Sequence, residues 1–312
     1  MSGMKRERGM RGGGVSMCPA QKCKPFQKRH PLSVWTAACF VASAVLISLT
    51  AGLIGIDNYA VISSVRTKPA QVLIASDSSP QQEWKVMTYN IRHARGTDNK
   101  ISLRRIAQVI RQEEANVVAL QEVDRYMWRS GFQDQVKQLA QLLGMNWAFA
   151  PSMKIGNFAY GNAILSHDPI QSATSVSLGG MWENRTMLQA TISTNRGWID
   201  VYTTHLGLSE EERVQQMPHV LRFLEQAKEP ALWLGDFNME ASHPLLHMPE
   251  RWKKLEQSEQ RGTIMGKREI DHIYAAQPGG NVWEVQEVYV PVSIASDHLP
   301  VVANLRWTTA AD

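Results

Sequence analysis

Two β-sheets packed face to face, with helices on their outer sides, is the architecture the sequence predicts for most of this α/β chain, preceded by one membrane-crossing helix. Three observations carry that expectation. Helix-like and strand-like segments interleave early, and strand-like segments dominate from Asn146 onward, which favours two sheets over a doubly wound parallel one. Polar residues end one apolar run after another, where α/β folds place their sites. Residues 31–56 contain no charged side chain.

Residues 1–30 are rich in Gly, Lys and Arg and read as a disordered basic tail. The run 31–56 exceeds the roughly 20 residues that span a bilayer. Its N-terminal flank is basic and Asp57 follows it, so the positive-inside rule places the N-terminus in the cytoplasm and the remainder outside. The expectation is a single-pass anchor in the cell membrane. The alternative is a cleaved signal peptide and a secreted domain, but no small-x-small site precedes a polar stretch. Residues 57–82 read as a Ser-rich linker and 83–312 as the folded domain. Cys18, Cys23 and Cys39 all precede it, which leaves it without disulfide or thiol chemistry. Residues 1–82 hold ten Lys/Arg and three acids, against 23 basic and 26 acidic residues in 83–312. A slightly acidic domain lacks the overall basic character expected of a non-specific nucleic-acid binder, and a local basic patch stays open to it.

Residues 84–91 alternate like a strand. Ser102 is placed to cap a helix with apolar positions Leu103, Ile106, Val109 and Ile110. Residues 117–122 read as a buried strand, and 133–143 as a second helix stopped by Gly144. Strands are expected at 146–150, 162–166, 170–176, 187–194 and 198–204. Ser209 with Glu212 forms a capping box that opens a helix to about residue 228, with Pro218 expected to kink it or shift its start. The apolar run into Gly235 is the next strand. A loop of mixed pattern reaches Gly266, and strands follow at 269–275, 282–290 and 301–307.

Chemistry gathers at the ends of these runs. In Leu232-Trp233-Leu234-Gly235-Asp236-Phe237-Asn238 a buried strand delivers a carboxylate and a carboxamide two residues apart, which on a strand share a side. Alone, the same pattern equally describes an Asx turn. Its company weighs against a turn only: Asn90, Glu122, His205, Asp271, Asp297 and His298 also sit at or beside strand ends. An inventory of carboxylates, carboxamides and histidines, with no nucleophilic Cys or Ser motif, suits Mg²⁺, with Mn²⁺ or Ca²⁺ as alternatives.

The motifs Thr88-Tyr89-Asn90-Ile91, Leu120-Gln121-Glu122-Val123-Asp124, Tyr160-Gly161-Asn162-Ala163, Thr204-His205-Leu206, Gly235-Asp236-Phe237-Asn238, Ile270-Asp271-His272-Ile273 and Ser296-Asp297-His298-Leu299-Pro300 occur in that order. In this the chain resembles the endonuclease/exonuclease/phosphatase (deoxyribonuclease I-like) superfamily, nearest its bacterial metal-dependent hydrolases. The resemblance implies a four-layer αββα sandwich of two mostly antiparallel sheets, with the site at one end. It implies Glu122 as the main metal ligand, with Asn90 and Asp297 near the metal. It gives Asp236 the attacking water, Asn238 a non-bridging phosphate oxygen, and His298 a pairing with Asp271. It has His205 contact phosphate or protonate the leaving group. Tyr160, Asn162 and Arg185 are further candidates on the substrate side. The activity implied is hydrolysis of a phosphoester: a phospholipid head group, a nucleotide or nucleic acid. An extracytoplasmic nuclease, or a non-catalytic surface module that keeps the fold, are the alternatives. No obligate protein partner is implied, and no aromatic membrane-insertion hairpin is recognisable. Trp182, beside a Gly-Gly turn, is a candidate for touching lipid or substrate.

Overall fold

Alternation along strand β2 (Glu83–Asn90) already contains the layering of the molecule. Trp84 and Val86 join one buried cluster, whereas Met87 and Tyr89 join another, so both faces of the strand are covered. The same split recurs in β3 (Val117–Arg125), β4 (Asn146–Ile155) and β5 (Phe158–Ser166). A computed structural model describes residues 61–63, 83–181, 183–228, 230–276 and 283–307. The tail 1–30, the span 31–56, most of the linker and Trp182 lie outside the described residues. Among the described residues no helix is long and apolar enough to cross a membrane.

Two sheets result. With β1 (Val61–Ser63), β12 (Trp283–Tyr289) and β13 (Val301–Trp307), the first has the order β1-β4-β5-β3-β2-β13-β12. The second contains β6 (Ile170–Gly179), β7 (Arg185–Thr194), β8 (Gly197–His205), β9 (Ala231–Asp236), β10 (Trp252–Lys254) and β11 (Asp271–Ala276), in the order β10-β11-β9-β8-β7-β6. Both are mixed: β2–β3 and β8–β9 are parallel and the other pairs antiparallel. Helices α1 (Leu103–Glu113) and α2 (Gln135–Leu143) cover the outer face of the first sheet, and α3 (Glu210–Glu225) that of the second. The cluster that Trp84 and Val86 join also takes in Val117, Leu188, Val201, Leu232 and Ile273, and fills the space between the sheets.

Most departures from the sequence reading are at boundaries. Residues 61–63, assigned to the linker, form an edge strand against β4; β-branched Val61 suits a pleated edge, but three residues are too short a run to show a period. Helix α2 begins at Gln135 because the Asp134 side chain accepts from Lys137 N–H and caps it there. Helix α3 keeps its Ser209–Glu212 capping box, passes through Pro218 without interruption, and ends at Glu225 rather than 228. Strand β3 continues past Glu122 through a bulge. Ser102 is the N-cap of α1, without a side-chain bond to the helix.

Candidate active site

Strand parity builds the site. In β9, Leu232 and Leu234 point between the sheets, so Asp236, two further on, points the same way at the open end. Register then sets its neighbours. His205 of β8 lies beside Asp236 on one side, and Asp271 of β11 on the other. From the first sheet, Asn90 ends β2 with the parity of Val86 and Thr88. Its amide nitrogen donates to Glu122 Oε1 at 3.2 Å and to Asp236 Oδ2 at 3.0 Å, tying the sheets together. Asn90 Oδ1 accepts from Arg92 N–H at 3.0 Å. A backbone N–H can only donate, so this bond fixes which way the carboxamide is turned. Asn90 therefore offers its NH₂, not its oxygen, to the two carboxylates.

Backbone conformation is unusual at the same place. Arg92, His93 and Ala94 all have positive φ, as do Glu122 (58°) and Asn238 (52°). Left-handed backbone costs a non-glycine residue about 1–2 kcal/mol, and such residues concentrate at functional sites. At Glu122 it coincides with the bulge, which re-aims the carboxylate. At Asn238 it closes an Asx turn, with the Asn238 N–H donating to Asp236 Oδ1 at 3.0 Å. The turn and the site are one structure. The Asn238 amide also donates to Leu206 O at 2.9 Å, which leaves its second hydrogen for a ligand.

Two histidines flank Asp236 in opposite states. His298 Nδ1 lies 2.9 Å from Asp271 Oδ2, and its Nε2 lies 3.7 Å from Asp236 Oδ2. Burial alone would lower its pKa, but the charge of Asp271 and their hydrogen bond, with Asp236 and Asp297 beyond, push it up to about 10. His205 is buried, and burial together with Arg185 and His298 holds it well below the usual imidazole value. Arg185 Nη1 donates to His205 Nδ1 at 3.0 Å; the neutral ring therefore carries its proton on Nε2, 3.5 Å from Asp236 Oδ2. Asp236 itself is pushed up to about 7, first by burial and then by the Asp271 charge, against the opposing pull of His298, Asn90 and the Asn238 N–H.

The remaining predicted residues are less central. Arg185 pairs with Glu183 at 3.1 Å and with His205, so it orients the ring. Asn162 donates to Thr186 O at 2.7 Å, clamping β5 to β7. Tyr160 is buried under the Arg129 guanidinium, 4.9 Å from its ring centroid, and burial and the Glu122 charge raise its pKa. Asp297 is paired with Arg92 at 3.3 Å. His272 faces away from Asp271, its Nε2 2.8 Å from Met239 O.

The donor set fits a divalent cation. Ligand atoms of Asp236, Asp271 and His298 lie within 4.8 Å of one another. Asp271 Oδ1 is buried without a hydrogen-bond partner among the described residues. His298, however, is pushed up to about 10 and holds a proton at neutral pH, with which a metal at its Nε2 would have to compete. Glu122, half-buried and bonded through one oxygen to Asn90, is the better hard ligand.

Three supporting residues have no role assigned from the sequence, although Gln121 and Ser296 lie within its motifs. Thr263 donates to Asp271 Oδ2 at 2.6 Å from within the loop of mixed pattern. Gln121 donates to Thr88 Oγ1 at 3.1 Å and to Thr203 Oγ1 at 3.0 Å, bridging the sheets beneath the site. Ser296 Oγ donates to Asn90 O at 2.8 Å.

Comparison with known proteins agrees with this geometry. Residues 87–298 match the sequence profile of the Endonuclease/Exonuclease/phosphatase family. Protein cwh43 of Schizosaccharomyces pombe is 30% identical over 145 residues, covering 45% of this chain; the match spans only 15% of that relative's length. The solved endonuclease/exonuclease/phosphatase from Beutenbergia cavernae DSM 12333 is similar at TM-score 0.59 and 23% identity, over 73% of this chain and 72% of that one. A mannosyl-6-phosphatase from Bacteroides thetaiotaomicron VPI-5482 is similar at TM-score 0.55 and 19% identity, over 72% of this chain and 100% of that one. These structural likenesses are of fold.

Proposed function

The chain belongs to the endonuclease/exonuclease/phosphatase family, and from that premise we propose that it is a divalent-metal-dependent phosphoester hydrolase, anchored in the cell membrane by residues 31–56 and acting outside the cytoplasm. The observation that carries the reading is the placement of Asp236: a buried carboxylate between a neutral and a protonated histidine, joined through Asn90 to Glu122 on the other sheet.

Glu122, with Asp297 released from Arg92, would hold the cation, Mg²⁺ by the hardness of the oxygen donors, which when bound neutralises phosphate charge and stabilises the leaving oxygen. Asp236 takes the proton of the attacking water; a carboxylate at about 7 is a better base near neutrality than an ordinary one. His298 stays protonated and faces the charge that builds on the non-bridging oxygens, while Asp271 and Thr263 hold its ring. His205 is a fixed Nε2–H donor. Its low pKa makes it a hydrogen-bond donor to phosphate rather than the acid that protonates the leaving group. Asn238 adds its remaining amide hydrogen. The substrate is a phosphoester accessible outside the membrane: a phospholipid head group, a nucleotide or nucleic acid.

Single-turnover assays on the full chain, with a panel of phosphate mono- and diesters and with Mg²⁺ or chelator, test the reading. Turnover is expected on at least one ester, lost on chelation, and reduced on the order of 100- to 1000-fold in His298→Ala. Absence of metal-dependent turnover on every ester leaves the fold serving as a surface binding module.

A further inference from the structure

A cluster of large apolar side chains is exposed at the catalytic end of the first sheet. Trp128 is 74% exposed and Phe132 61%, in the loop that follows β3; Ile155 is 58% exposed and Phe158 45%, at the tip of the β4–β5 hairpin. The two segments touch, with the Phe132 and Phe158 rings 6.3 Å apart between centroids. Phe132 has φ 58°, a conformation that costs a bulky residue energy and here turns an aromatic ring to solvent. Contiguous exposed apolar surface of this kind marks an interaction site. Phe158 is three residues from Gly161, whose β3 partner Val123 adjoins Glu122, so the cluster sits about 10 Å along the strand from the candidate metal ligand.

Topology says what faces it. Strand β1 is antiparallel to β4, pairing Val61 with Phe149 and Ser63 with Trp147. The chain therefore enters β1 from the end at which β4 finishes, the hairpin end. Four residues separate Ile56, the last of the uncharged run, from Val61. Their reach is at most about 18 Å, against about 20 Å from Phe149 to Ile155 along β4. The direction of β1 therefore points its preceding residues toward the end of the sheet that carries the exposed cluster. Residues 126–133 and 153–158 contain no carboxylate, and Lys154 adds a positive charge, whereas Arg129 is paired with Asp124.

We propose that the surface made by Trp128, Phe132, Ile155 and Phe158 seats on the phospholipid bilayer, so that the catalytic end faces the membrane surface. This rests on the reading of 31–56 as an anchor.

The test uses the full chain, with Cys18, Cys23 and Cys39 changed to Ser, in vesicles of phosphatidylcholine and phosphatidylglycerol. An environment-sensitive nitrobenzoxadiazole label is placed at Phe158→Cys and, as a reference, at Trp198→Cys. Trp198 is exposed near the start of β8, seven residues from His205 and so at the opposite end. Label at 158 is expected to emit to the blue and be quenched by doxyl-labelled lipid, while label at 198 stays aqueous. Trp128→Ser with Phe132→Ser, both on the surface, is expected to abolish the quenching while the chain still floats with the vesicles and keeps its circular dichroism. An aqueous label at 158 on a floating chain overturns the docking and leaves the anchor intact. A blue shift that lipid does not quench, with cross-linked dimers, assigns the surface to a second copy and overturns it too. A chain that does not float with vesicles removes the anchor and the docking together.

Discussion

Asp236 and His298 differ from ordinary side chains of their type because of named neighbours rather than burial alone. Burial and the Asp271 charge raise Asp236 to about 7. The same Asp271 reverses the effect of burial on His298. The sign follows for Asp236: its folded value exceeds the usual 3.8, so the folded chain holds an extra proton between about 4 and 7, and the stability this contributes is lost as the pH rises through about 7. The carboxylate able to accept a proton from water dominates only above that point. In metal-free protein, carboxyl ¹³C NMR is expected to show Asp236 titrating near 7; a midpoint near 4 would remove its claim to be the base. Asp236, Asp271 and His298 were visible in the sequence as strand-end residues. The tautomer of His205 was not, because it depends on Arg185, which the sequence offered as a phosphate ligand or a partner of a carboxylate, not of a histidine.

Gly235 shows how an element controls the site it carries. A Cβ at this position would lie 2.1 Å from Thr204 O on the neighbouring strand, closer than any real contact. The parallel β8–β9 pair, which sets His205 beside Asp236, closes only with glycine there. Gly235→Ala is expected to destabilise the domain by about 1–3 kcal/mol and to depress turnover by displacing His205 from Asp236. Urea denaturation and a turnover assay check both; an unchanged midpoint would mean that the strands part without cost. Helix α3 makes the complementary point. Its start was legible because a capping box is local chemistry, Ser209 and Glu212 being one turn apart. The bulge at Glu122 was not, since two residues oppose one only once β5 is in place.

At the scale of the molecule, the site exists because two sheets end together. Asn90 and Glu122 come from one, His205, Asp236 and Asp271 from the other, and Asn90 joins the carboxylates of the two across the gap. A cation held among these carboxylates binds the folded chain and not the unfolded one. Mg²⁺ at about 100 times its dissociation constant should then stabilise the domain by about 2.7 kcal/mol, seen as a rise in melting temperature that chelator reverses and Glu122→Gln abolishes. An unchanged melting temperature would argue that the carboxylates serve one another and not a metal. The alternation of residues 84–91, the apolar run into Gly235, the starts of α1 and α3 and the order of the motifs were determined by the sequence itself, because strand period and capping are settled within a few residues. The direction of the Asn90 carboxamide, the hold of Thr263 on Asp271, the strand at 61–63 and the exposed aromatic end were decided only by the tertiary structure. Each depends on partners far apart in the chain, Asn90 and Asp236 by 146 residues, and no local pattern encodes where such partners will meet.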